Sequence, residues 1–161
     1  MLNINLITIG KLKENYWRDA VAEYSKRLSK FCSLKIIELS DKRLSENPGE
    51  KEIAAALFDE GKSIAPFIDA KSTFSFAMCI EGKQLSSEEL ARQLSLIPNS
   101  GVSTVNFIIG SSFGLDQSIK DKSDFKLSIT KMTLPHQLCR VVLLEQIYRA
   151  FQINSNGKYH K

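Results

Sequence analysis

Two stretches of the chain carry residue types and spacings suited to holding a small ligand. In the first, FIIGSSFG at residues 107–114, an apolar run reaches Gly110 and a second glycine follows at Gly114. Glycines in such a turn let backbone N–H groups approach a ligand closely. The spacing matches neither GxGxxG nor GxxxxGK followed by Ser or Thr, so it supports neither a dinucleotide fingerprint nor a P-loop. Taken alone, the pattern is also compatible with a plain turn.

The second stretch, TKMTLPHQ at residues 130–137, joins a predicted strand to a predicted helix without any glycine. Pro135 fixes one backbone angle and restricts Leu134 to an extended form, and proline suits the first turn of a helix. We therefore expect a rigid, extended segment whose main-chain donors and acceptors can read the edge of an adenine. The alternative is an ordinary connection between a strand and a helix.

The C-terminus combines an aromatic ring, an imidazole and a cation in Tyr159, His160 and Lys161. These are groups that an RNA base and phosphate would meet, although a disordered end is the alternative. The last 36 residues hold six basic residues and one acid, whereas the first 125 carry a net charge of −1. The whole positive excess is thus C-terminal, which fits a surface for a polyanion such as RNA or a solvated basic tail.

Other features exclude several classes of protein. The three cysteines show no CxxC spacing and the chain has two histidines, so we expect reduced thiols and no metal site. No apolar run approaches the roughly 20 residues of a membrane span, and the N-terminus does not resemble a signal peptide. The sequence therefore predicts a cytoplasmic protein that uses neither a metal nor a membrane.

Strands and helices must position these candidate residues, and the periodicity of apolar residues predicts both kinds of element. Strands are predicted at residues 2–10, 33–39, 73–80, 103–110 and 125–130, and helices at 17–31, 50–64, 86–97, 116–122 and 136–153. Ser86 and Glu89 have the spacing of a capping box, and Pro66 is expected to end the second helix. Strands alternating with helices predict one domain, residues 1–161, with a three-layer α/β fold and a mainly parallel sheet.

The last predicted helix is apolar over more than one stripe, so it must be buried on several sides. Packing in the core and also against a second subunit would achieve this, and we expect a homodimer. Arg140 and Arg149 are candidates for buried ion pairs. Glu145 lies four residues before Arg149, which favours a pair along the helix.

Several blocks together resemble the ribosomal RNA large subunit methyltransferase H family. They are LITIGKLKENYW, IEGKQLSSEELA, FIIGSSFGL, TKMTLPHQLCRVVLLEQIYRAF and the final YHK. The resemblance extends over essentially the whole chain, and the long block with the terminal YHK is its most specific part. It implies a SPOUT-class methyltransferase with a C-terminal trefoil knot, acting as a homodimer. The implied reaction is methyl transfer from S-adenosylmethionine to N3 of a pseudouridine in 23S rRNA of the assembled ribosome.

The resemblance also assigns cofactor-binding residues by position. They are Met78, where the family often has leucine, Gly110, and the run Ile129, Thr130, Lys131, Met132, Thr133 and Leu134. The chain departs from the family at Ser111, where a second glycine is usual, and this bears on the shape of that loop.

For the chemistry, the methyl group must face the nucleophile in line at about 3 to 3.5 Å. A protonated imide nitrogen is a poor nucleophile, so a base or a nearby cation would help. We expect His160 to act as base or orienter, Arg140 to stabilise charge, and Tyr159 to stack on the target base. The tail could reach a partner subunit and complete a composite site there. An RNA-binding factor without enzymatic activity and a methyltransferase for small molecules are the competing hypotheses.

Overall fold

Strands and helices alternate along residues 1–159, the part of the chain that the computed structural model describes. The strands are β1 (Leu2–Ile9), β2 (Cys32–Leu39), β3 (Thr73–Gln84), β4 (Thr104–Ile109) and β5 (Phe125–Ser128). The helices are α1 (Asn15–Leu28), α2 (Glu50–Ile68), α3 (Ser87–Leu96), α4 (Gln117–Lys122) and α5 (His136–Asn154), with a short 3-10 helix (Ile97–Ser100) after α3. The predicted order of elements is confirmed.

The strands form one parallel sheet in the order β2-β1-β4-β3-β5. Successive side chains of a strand point to opposite faces, and β1 shows this directly. Ile4 and Leu6 belong to a core shared with α1, α3 and α5, whereas Ile7 and Ile9 belong to a core shared with α2 and α4. Helices thus cover both faces, which confirms the three-layer α/β fold.

The start of α3 confirms the predicted capping box. The hydroxyl oxygen of Ser86 accepts a hydrogen bond from the Glu89 N–H at 3.1 Å, and the Glu89 carboxylate accepts one from the Ser86 N–H at 2.7 Å. Two backbone donors that the first turn would otherwise leave unpaired are satisfied, so the helix begins sharply at this point.

The predicted end of α2 is wrong, because the helix runs through Pro66 to Ile68. A proline removes one backbone hydrogen bond from a helix. Here the continued turn packs Phe67 and Ile68 against the core that contains Ile64. Burial of these apolar side chains outweighs one missing bond near the end of a 19-residue helix.

Strand β3 is also longer than predicted and contains a bulge. Leu127 of β5 pairs first with Met78 and again with Lys83, so residues 79–82 are left out of the ladder. Gly82 makes the close return possible, since a Cβ there would lie 2.7 Å from the Leu127 carbonyl carbon. The bulge leaves residues 79 and 80 at the edge of the sheet where the candidate site lies.

The cysteines are free thiols, as predicted. Burial raises the pKa of Cys139 to about 11, so that thiol stays protonated at neutral pH. Within residues 1–159, no group of His, Cys, Asp and Glu side chains is arranged to hold a metal ion. Over the same residues, no helix has the length and apolar character needed to cross a membrane.

Candidate functional site

A cavity of about 490 Å³ lies beyond the carboxyl ends of β3, β4 and β5, and we call it the first cavity. In open parallel sheets this edge is where ligands bind. Its size falls within the range of small-molecule sites. Its walls come from the β3 bulge, the turn after β4 and the segment between β5 and α5.

The turn after β4 depends on a glycine at position 110. A Cβ on Gly110 would lie 2.1 Å from the carbonyl oxygen of Gly114, far inside contact distance. Gly114 itself has a φ of +92°, a left-handed conformation that other residues rarely adopt, and its N–H donates to the Ser111 carbonyl at 2.9 Å. The two glycines therefore let the turn fold back on itself and form one wall of the cavity.

The segment between β5 and α5 is held by local hydrogen bonds. The Ser128 hydroxyl donates to the Thr130 carbonyl at 2.9 Å, and the Thr130 hydroxyl oxygen accepts from the Met132 N–H at 3.2 Å. Pro135 is extended, with φ −55° and ψ 137°, and stands at the N-cap of α5. The extended backbone expected near Pro135 is therefore present at that residue, whereas the chain bends at Ile129, Lys131 and Met132.

The predicted cofactor residues gather around the first cavity. Those that line it are Met78, Gly110, Ile129, Thr130, Met132, Thr133 and Leu134. Lys131 is exposed and is not part of the lining. Sequence reasoning missed other lining residues, among them Ile80, Cys139 and His136. The structure brings the predicted set together, while their binding of a cofactor stays a prediction.

His136 lies in the wall of the first cavity, and its pKa departs from the ordinary value of a histidine. Burial lowers its pKa, the charge of Arg140 lowers it further, and the charge of Asp41 opposes both. The imidazole is therefore mainly neutral at physiological pH. Its place directly after Pro135 at the start of α5 was the signal in the sequence that could have identified it.

The lowered pKa of His136 predicts how stability depends on pH. The unfolded chain, with a pKa near 6.5, binds this proton before the folded chain does. The stability from His136 is therefore complete above about pH 6.5 and is lost as the pH falls toward the folded pKa. We expect urea unfolding at about pH 7.5 and pH 5 to show a smaller loss of stability for His136→Gln than for the wild type. Equal losses would contradict this assignment.

Arg140, predicted to stabilise charge, is 1% exposed, and the partners of its two Nη nitrogens lie at the ends of β1 and β2. Its Nη1 donates to the Glu38 carboxylate at 3.0 Å, and its Nη2 donates to the carbonyls of Gly10 at 2.9 Å and Ile9 at 3.3 Å. Burial lowers its pKa, and the Glu38 charge opposes this. The buried ion pair expected for Arg140 exists, with Glu38 as its partner. Its role in charge stabilisation stays a prediction.

Truncating this arginine is expected to destabilise the fold. Arg140→Ala removes the arginine donor from two carbonyls and from Glu38, whose carboxylate keeps the Leu12 N–H at 3.1 Å. We expect a loss of about 2 to 3 kcal/mol, at or below the low end for a broken buried pair, because Glu38 is 30% exposed and keeps a second donor. Chemical denaturation measures the free energy of unfolding of the wild type and of each variant. Lys122→Ala is the control, since its pair with Asp69 is largely exposed and should matter much less. Similar losses in both variants would be inconsistent with this account.

Tyr159 lies against α5 and does not line the first cavity of its own chain. Its hydroxyl donates to Glu145 at 3.1 Å, and the Arg149 guanidinium lies 4.7 Å from its ring centre. The predicted pair between Glu145 and Arg149 is confirmed at 2.6 Å. Burial, and then the bond to Glu145, raise the pKa of Tyr159 to about 12. The predicted base, His160, lies outside the described residues.

Ser111, where the resembling family has glycine, has a specific partner. Its hydroxyl donates to the Glu60 carboxylate at 2.9 Å, and the same carboxylate accepts from the Lys42 N–H at 3.2 Å. Glu60 is only 4% exposed, so these bonds satisfy a buried charge. The serine thus ties the turn after β4 to α2 and to the loop after β2.

Comparison with known proteins adds an independent finding. A family model described as "Predicted SPOUT methyltransferase" matches residues 2–160. A Bifidobacterium adolescentis protein named "Ribosomal RNA large subunit methyltransferase H" is 49% identical, with 99% of this chain and 100% of that protein covered. Proteins of the same name from Leuconostoc citreum and Clostridioides difficile are each 46% identical with the same coverage.

Proposed function

Because the chain belongs to the SPOUT methyltransferase family, and within it to the ribosomal RNA large subunit methyltransferase H family, we propose that it methylates 23S rRNA. The proposed donor is S-adenosylmethionine, and the proposed acceptor is N3 of a pseudouridine in the assembled ribosome. The observation that supports the proposal is the first cavity, which is lined by seven of the eight residues that the resemblance assigns to the cofactor.

The residues around the first cavity fit S-adenosylmethionine in size and in chemistry. Met78, Ile109 and Leu127 offer apolar walls for an adenosine and a methionine chain, and the segment from Ile129 to Leu134 offers backbone donors and acceptors for the adenine edge. When bound, this cofactor supplies an electrophilic methyl group on a sulfonium. The chain's task is to hold the donor and to admit the target base in line with that methyl group.

The target nitrogen must lose a proton, and we propose His160 as the base or orienter and Tyr159 as the ring that stacks on the base. Arg140 is the proposed source of positive charge. Its contacts with Glu38 and Gly10 favour an indirect contribution, because they fix the first turn of α5, and with it the segment that precedes α5, to the end of β1. It would act as a positioning residue through that segment.

We further propose a homodimer with a composite site. On α1 and α5, partly buried aromatic residues form a continuous surface, including Tyr24, Tyr148 and Phe151. A second copy of the chain is the proposed cover for this surface. In its own chain Tyr159 contacts Glu145, outside the first cavity, so its proposed stacking role needs the first cavity of the partner. The trefoil knot and the cytoplasmic location, where assembled ribosomes occur, are part of the same proposal.

The decisive experiment is mass spectrometry of 23S rRNA from a strain that lacks this protein, with and without the gene restored. We expect one pseudouridine to carry an N3 methyl group only when the protein is present. Transfer of labelled methyl from S-adenosylmethionine to ribosomes from the deletion strain checks the reaction in vitro. Binding of ribosomes without methyl transfer would favour an RNA-binding factor, and transfer only to metabolites would favour a small-molecule methyltransferase.

A further inference from the structure

A second cavity of about 610 Å³ adjoins the first, beyond the carboxyl ends of β1 and β2. The two cavities share three lining residues, Ser111, Ser112 and His136. A molecule in the second cavity would therefore be adjacent to one in the first. The shared wall is the turn after β4 together with the first residue of α5.

The rim of the second cavity carries several exposed cations. They are Lys11, Lys13, Lys42 and Arg43, and the carboxylates around the same cavity are Glu14, Asp41 and Glu60. Glu60 is buried and accepts hydrogen bonds from Ser111 and from the Lys42 N–H, so it faces these internal donors. Lys42 also lies 3.8 Å from the Asp59 carboxylate, so the positive excess at the rim comes from Lys11, Lys13 and Arg43 against Glu14 and Asp41. A small positive excess of this kind suits phosphate groups.

An exposed aromatic ring stands in the same place. Phe113 is 45% exposed, although a phenylalanine gains by burial. It belongs to the turn after β4, in which Ser111 and Ser112 line both cavities, and Phe113 itself lines the second one. An aromatic ring beside cations is the combination that binds single-stranded RNA, with bases stacked on the ring and phosphates on the cations.

We propose that the second cavity binds the rRNA nucleotide next to the methylated one. The base stacks on Phe113, and its phosphates meet Lys11, Lys13 and Arg43. The neighbouring target base then enters the first cavity past His136, which lines both cavities where they adjoin. This inference rests on the proposed function, and it adds a recognition site that the cofactor residues do not supply.

The first test replaces the aromatic ring. For Phe113→Ala we expect kcat/KM for ribosomes from the deletion strain to fall about tenfold, the factor typical of removing one stacking partner from a base. Affinity for S-adenosylmethionine and thermal stability should stay unchanged. Phe113→Trp should restore most of the activity because it keeps a stacking face. The matched control is Phe58→Ala on α2, an exposed phenylalanine outside both cavities.

The second test removes cations and does not depend on catalysis. Binding of the protein to deletion-strain ribosomes is measured over a series of salt concentrations. For the double variant Lys11→Ala, Lys13→Ala we expect the slope of log K against log salt to fall by about two, roughly one for each phosphate that the protein no longer neutralises. Lys71→Ala, an exposed lysine just before β3 and outside both cavities, should leave the slope unchanged.

The outcomes separate this inference from the proposed function. If the wild type binds S-adenosylmethionine but transfers no methyl group to ribosomes, the proposed function fails, and the salt series still tests the cavity. If the wild type is active and Phe113→Ala has the same kcat/KM, the stacking site is refuted. Photocrosslinking at position 113 should capture rRNA, and capture of a ribosomal protein instead would overturn the proposal.

Discussion

Replacing Gly110 by alanine is expected to lower the affinity for S-adenosylmethionine by at least about 100-fold, a loss of about 2.7 kcal/mol. The added Cβ would lie 2.1 Å from the Gly114 oxygen and 2.5 Å from its carbonyl carbon. Both are backbone atoms, so the turn after β4 must open by more than about 1 Å to relieve the steric clash. A displacement of this size is large for a site that must hold reacting groups in a defined geometry. That movement displaces one wall of the first cavity. Titration calorimetry of the full chain measures the affinity.

Two further glycine variants make the result interpretable. Gly49→Ala, at the N-cap of α2, has open space around the added carbon and a φ of −76°, so it should bind the cofactor normally. Gly114→Ala also has open space but forces a φ of +92°, and we expect an intermediate loss of about tenfold from that strain. Normal affinity in folded Gly110→Ala protein would refute the placement of the cofactor against this turn.

Deleting residues 159–161 should have the largest effect on activity. We expect methyl transfer to ribosomes to fall by at least about 100-fold, since the proposed stacking ring and the proposed general base are lost together. Affinity for S-adenosylmethionine should stay within about twofold, because Tyr159 contacts Glu145 and Arg149, outside the first cavity. Initial rates with labelled cofactor and calorimetry on the same preparation provide the two measurements.

Single substitutions divide this effect among the residues of the tail. Tyr159→Phe keeps the ring and loses the hydrogen bond to Glu145, so it should retain most of the activity if stacking is what matters. His160→Gln removes the titratable group and should lower kcat by about 100-fold if it is the base. Methyl transfer at the wild-type rate by the truncated protein would rule out both roles.

The sequence predicted the order of elements because apolar periodicity is a local property. The alternation in β1 and the capping box of α3 depend on residues close together in the chain, and both were found as predicted. The run through Pro66 was not predictable in this way. There a local rule, that proline ends helices, gave way to the packing of Phe67 and Ile68 on the core.

The candidate site was also predictable only in part, because some of its contacts join residues that are distant in the chain. The resemblance to a family identified seven of the residues that line the first cavity. It could not reveal that Arg140 pairs with Glu38, which lies 102 positions away. His136 and Phe113 were also missed. His136 lines both cavities and Phe113 lines the second one. The position of these cavities depends on how loops that are distant in the chain meet in space.

The turn after β4 belongs to the walls of both cavities, and this has a thermodynamic consequence. In the proposed complex, any shift of the turn that the cofactor or the RNA induces also changes the cavity of the other, so we expect the two binding equilibria to be coupled. Coupling of this kind is reciprocal: the factor by which bound RNA changes the affinity for the cofactor equals the factor by which bound cofactor changes the affinity for RNA. The hydrogen bond from Ser111 to Glu60 anchors the turn to α2 and thereby limits how large that factor can be. We therefore expect Ser111 to make the order in which the proposed donor and the ribosome bind matter less.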